Sequence, residues 1–159
     1  MPVPRLCLTL ARLSSAMWVG AALLFVLTSV TEQVEPAFET AIRDRLALIR
    51  FPWYYGTGAV LLTVGIVTGA AISRGRRTIL IATLVLLAAA SAMAADYALV
   101  YRPLRASLTP PGAARDAEFQ RLHEWSERLN AGGFLLSAVA AVMLCATGGR
   151  GRSGFGEGD

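Results

Sequence analysis

The stretch Ile79-Leu-Ile-Ala-Thr-Leu-Val-Leu-Leu-Ala-Ala-Ala90 decides the fold. It has no polar face at helical spacing, and a helix in a soluble bundle needs one, so the stretch reads as lipid-facing. Three further runs share this character, giving spans at about 13–30, 53–72, 79–97 and 129–147. Each supplies roughly the 20 residues that cross about 30 Å of hydrocarbon at 1.5 Å per residue. Composition agrees: of 159 residues, 55% are hydrophobic and 16% charged. A soluble domain carries roughly 25% charged residues. The chain is therefore expected to be all-α, a single four-transmembrane-helix bundle over residues 13–147. Residues 1–12 form a short N-terminal segment, and the glycine-rich tail 148–159 is expected to be disordered.

A formal charge of +4 could suggest nucleic acid, but all fifteen basic residues are arginines placed between or beside the spans. That distribution marks topology instead. Arg5 and Arg12 precede span one, Arg74, Arg76 and Arg77 fill the short turn between spans two and three, and Arg150 and Arg152 follow span four. These groups share one side. The arginines of the other side are spread over two longer connections and mixed with acids. By density the first side is cytoplasmic, which puts both termini inside a bacterial cytoplasmic membrane. The lipid bilayer is then the obligatory partner and nucleic acid is not one. Span one exceeds a signal-peptide core and lacks a small-x-small cleavage site, so it reads as an uncleaved anchor. Cys7 and Cys145 fall near cytoplasmic helix ends, where neither a disulfide nor a zinc site is expected.

In the first outer connection, Phe38, Ile42, Leu46 and Ile49 recur at helical spacing against a charged face. This predicts a short amphipathic helix lying in the interface, with partner docking as the alternative. In the third connection, Pro103 and Thr109-Pro-Pro-Gly112 interrupt the pattern, and a helix restarts near Ala113. The fourth helix should exceed thirty residues and protrude from the outer side. Gly58, Gly65 and Gly69 allow close helix approach, either within the bundle or at an interface with a second copy or another membrane protein.

Polar residues gather at the outer end. Phe119-Gln-Arg-Leu-His-Glu-Trp-Ser-Glu-Arg-Leu-Asn130 holds the only histidine, and His123, Ser126 and Asn130 share one helical face. Counting 1.5 Å per residue from the cytoplasmic ends puts Asp96 about 27 Å up and Asn130 about 24 Å up. Tyr54 opens span two at the same face. His123, Ser126, Asn130, Asp96 and Tyr54 form the candidate polar cluster. They could fix helix register, bind a small ligand or ion, or serve a metal- or haem-linked redox role. For haem, His123 needs a second ligand such as Met93. No catalytic triad order, zinc cluster, phosphate loop or dinucleotide fingerprint is present, so no enzyme activity and no cofactor are assigned.

Phe119, His123, Ser126 and Asn130 resemble the Phe-x-x-x-His-x-x-Ser-x-x-x-Asn motif that opens the last helix of the transmembrane protein 205-like family. Phe51, Pro52 and Tyr54 are similar to that family's Phe-Pro-x-Tyr signature, and Trp18-Val-Gly20 to its first helix. The resemblance covers about residues 13–147 with four spans in the same order. It implies a four-helix membrane fold; bacterial members are catalogued as a domain of unknown function, so it carries no activity, cofactor or substrate.

Overall fold

The computed structural model describes residues 3–147. The tail 148–159, expected to be disordered, lies outside the described residues. Four long helices form the bundle: α1 (Val3–Val34), α2 (Thr40–Ile72), α3 (Arg77–Ala95) and α5 (Ala117–Ala146). A six-residue π-helical turn, Asp96–Tyr101, joins α3 to the short α4 (Arg102–Ser107). No strand occurs among the described residues. Helix neighbours run α1–α2–α3–α5 and back to α1, leaving α1 opposite α3 and α2 opposite α5. Four helices are long and apolar enough to cross a membrane. Their outer faces carry Leu24, Val60, Val67, Leu84, Leu135 and Val142, all exposed. Lipid is the solvent that suits such a surface.

The inward positions alternate in steps of three and four. On α2 they are Tyr55, Gly58, Leu62, Gly65, Gly69 and Ile72, all buried. This is the 3.5-residue spacing of helices packed in a left-handed bundle. The same repeat runs backward through Phe51 and Leu48 to Asp44, which explains a departure from expectation. Residues 40–50 are helical, as their periodicity predicts, but they do not lie separately in the interface. They extend α2 without a break through Pro52, because their inward stripe already faces protein.

Span three also continues past Tyr97. Pro103 has no N–H, and its ring would clash with the carbonyl of Leu99 in a regular helix. The wider turn ahead of it, closed by Arg102 N–H bonding to the Tyr97 carbonyl, lets the chain stay helical to Ser107. Helix α5 restarts at Ala117 rather than near Ala113, and its 30 residues fall just short of the length expected. The Asp116 side chain caps the helix by accepting from Phe119 N–H at 2.8 Å.

Exposed Trp53, Tyr97 and Trp125 form an aromatic collar. Trp53 to Arg74, Tyr97 to Arg77 and Trp125 to Ala146 each span about 20 residues, roughly 30 Å. Beyond the collar the helix extensions pack on one another. Leu104, Leu108 and Phe119 form a second buried cluster with Leu48 and Leu122 against it. Buried Asp44 accepts from Gly112 N–H (2.8 Å) and from Arg115 Nη2 (2.9 Å), tying the α4–α5 loop to α2. Gly112 has a positive φ of 86°, and a Cβ there would sit 3.3 Å from that of Ala41.

At the other end Arg12 Nε donates to the Leu144 carbonyl at 2.9 Å, capping the last turn of α5. In between, the three glycines face the chain's own helices. A Cβ on Gly58 would lie 2.6 Å from both Met93 Sδ and Trp18 Cη2, while Gly65 meets Ser14 and Leu86, and Gly69 meets Thr83. Intramolecular packing therefore accounts for all three.

Gly56, two residues from Gly58, has open space around it. Gly58→Ala should lower thermal stability in detergent, at an overpacking cost of about 1–3 kcal/mol, while Gly56→Ala should stay within about 0.5 kcal/mol of wild type. Equal melting temperatures for the two variants would contradict the packing described.

Candidate polar network at the collar

Asp96 is the first residue of the π turn and is fully buried, at 0% exposure. Lipid offers it no donor, so the protein must. Tyr55 of α2 donates its hydroxyl to Asp96 Oδ2 at 2.5 Å, and Asn130 Nδ2 of α5 donates to the same oxygen at 2.7 Å. Tyr54 completes the arrangement by donating to Asn130 Oδ1 at 2.8 Å. Asn130 Nδ2 also reaches the Ser126 carbonyl (2.8 Å) and Ser126 Oγ (3.2 Å). The Tyr54–Asn130 bond crosses the bundle diagonal, a span that the long tyrosine side chain bridges to the short asparagine.

Three of the polar members lie beside a collar aromatic in sequence: Tyr54 beside Trp53, Asp96 beside Tyr97, Ser126 beside Trp125. Consecutive helix residues point about 100° apart, so one faces inward while its neighbour faces lipid. Rings brace the network. Tyr54 stacks on Phe25 at 4.4 Å and meets Trp18 at 5.1 Å. Phe51 stacks on Tyr101 at 5.3 Å, and Tyr101 lies 5.0 Å from Tyr55. One layer below, Trp18 Nε1 donates to Ser137 Oγ at 3.1 Å, and that hydroxyl donates to the Gly133 carbonyl.

Of the five residues expected in the cluster, the structure joins Tyr54, Asp96, Ser126 and Asn130 and leaves out His123. The histidine side chain is 49% exposed, pairs with Glu127 at 3.2 Å and stacks at 6.0 Å on Phe119. The reason is local. Above the collar, inward on α5 means toward Leu48, Leu104 and Leu108, and Phe119 and Leu122 take those positions. Position 123 is therefore left on the flank. Met93, the second haem ligand considered, packs in the bundle core beside Gly58, in surroundings different from those of His123. Among the described residues no three His, Cys, Asp or Glu side chains gather as a metal site.

Tyr55 was missed in the sequence, although it is the nearest donor to Asp96. A signal was available: Tyr55, Gly58, Leu62, Gly65 and Gly69 follow one alternating repeat, which puts Tyr55 and not Tyr54 on the central seam. Asp44 was missed too, because its charge hid that it continues the same seam. Comparisons with protein-family models, curated proteins and solved structures find no match to this chain.

Removing the Asn130 side chain leaves Tyr54 without an acceptor and Asp96 with a single donor. At about 1–3 kcal/mol per orphaned buried group, Asn130→Ala should destabilise by several-fold more than His123→Ala, whose exposed pair contributes roughly 0–0.5 kcal/mol. Thermal unfolding in detergent checks the ranking, and a larger loss at His123 would contradict it.

Proposed function

We propose that this chain is a non-enzymatic protein of a bacterial cytoplasmic membrane whose collar network packs the bundle and provides a binding position for a small ligand or ion. The observation that carries this reading is the asymmetry of Asp96. Its Oδ2 takes two donors, while Oδ1 is buried without a hydrogen-bond partner. The hydroxyl of Tyr101 is likewise buried and unpartnered. A polar atom left so in an apolar layer costs free energy, and a water molecule or small cation at Oδ1 would offset that cost. The packing role is supported by the reach of the network, which draws on α2, the π turn and α5 together.

Membership of the transmembrane protein 205-like family is part of the same proposal. Of the residues that carry that resemblance, Phe51, Tyr54, Phe119, Ser126 and Asn130 make inward contacts, while His123 lies on the flank. The orientation proposed is cytoplasmic for both termini, supported by the density of arginines around the 73–76 turn.

The ligand role is tested by melting the purified protein in detergent with Na⁺, K⁺, Mg²⁺ or Ca²⁺. One cation should raise the melting temperature of the wild type and leave Asp96→Asn unchanged. Indifference of the wild type to all four would reduce the network to packing. Reporter fusions after Arg77 and Arg105 should read cytoplasmic and periplasmic respectively, and the opposite pattern would invert the topology.

A further inference from the structure

At the end of the bundle opposite the collar, a groove of about 700 Å³ opens between the start of α3 and the ends of α1 and α5. Its walls are apolar, formed by Leu8, Val142 and Met143, and its rim carries Arg76 and Arg77. Among the described residues neither arginine joins an ion pair. The first turn of α3 holds no acidic residue, and no side chain caps it. Its unpaired N–H groups and the positive end of the helix dipole thus face the same rim as the two guanidinium groups. The groove also lies where the roughly 30 Å apolar stretch measured from the collar ends. That is the depth of lipid headgroups.

The geometry points to a binding site for one anionic phospholipid, with its phosphate at Arg76, Arg77 and the α3 N-terminus and an acyl chain along Leu8, Val142 and Met143. Charge complementarity and the apolar continuation of the groove select this occupant. A soluble anion would leave the walls uncovered, and an apolar chain would leave the arginines unanswered. This inference is independent of the collar network.

The test is native mass spectrometry of the full chain released from detergent micelles. The micelles contain equal amounts of phosphatidylglycerol and phosphatidylethanolamine with matched acyl chains. The wild type should retain the anionic lipid preferentially, by roughly fivefold per arginine from the usual contribution of a juxtamembrane arginine. Arg76→Gln/Arg77→Gln should bring the two lipids to parity. Ala146→Trp, which fills the groove from an exposed wall position and keeps both arginines, should lose the bound lipid. Arg105→Gln, at the far end, should change nothing. Parity in the wild type would overturn the site. So would a preference that survives either groove variant, an equal loss in Arg105→Gln, or a lipid-free dimer that the arginine variants abolish.

Discussion

A carboxyl group with no access to solvent, held at the top of a membrane helix, must draw its donors from its own chain. Asp96 imposes that condition here, and two other helices answer it. Tyr55 approaches from α2 and Asn130 from α5, and Asn130 can do so only because Tyr54 and Ser126 occupy its remaining bonds. Each donor fixes a height and a rotation for the helix that bears it. The hydrophobic effect gives little preference for one helix register over another when the surroundings are hydrocarbon. Directional bonds around one acceptor give that preference.

Below the network, steric fit takes over. Trp18 fills the centre where Gly58 leaves room, and its indole N–H is answered by Ser137 across the α1–α5 contact. Farther down, Gly65 and Gly69 bring α2 against Leu86, Ser14 and Thr83, and the Ser14 and Thr83 hydroxyls bond to carbonyls of their own helices and so expose no unmet polarity. Above the network the helix extensions stay together, through a leucine and phenylalanine cluster and the Asp44 clasp on the α4–α5 loop. The π turn links the two regimes. On α3 the inward positions Ile79, Ala82, Leu86, Ala89, Met93 and Asp96 follow steps of three and four, and from there Val100, Leu104 and Leu108 follow in fours. The wide turn re-aims the stripe toward the upper cluster.

Much of this was legible in the residues. Four apolar runs of membrane length fixed the class, and counting residues along two antiparallel helices placed Asp96 level with Asn130. Rise per residue is nearly constant, so height can be read from sequence. Rotation is harder, because it depends on which neighbour lies inward at each level. His123 shares a helical face with Ser126 and Asn130, yet that face has no bundle interior opposite it above the collar. Pro52 and Pro103 look like boundaries. Both are absorbed, one because its helix already has protein to face and the other through a wider turn. Asp44 looked solvated because it is charged, and only the folded chain shows the Gly112 and Arg115 donors that make its burial tolerable.

The matched intervals from the collar to the opposite end of the bundle bear on the choice of membrane. Three helices carry nearly the same apolar length, and the upper cluster ties α2, α4 and α5 together, so none of them can tilt alone to suit a different bilayer. Mismatch is then met by the bundle as one body, through a common tilt or through lipid that thins or thickens around it at a modest cost for each ångström. A membrane whose hydrocarbon is near 30 Å, a typical bilayer value, pays no such penalty. The bundle thus answers bilayer thickness as one unit and not helix by helix, and its partitioning among membranes would follow that dimension.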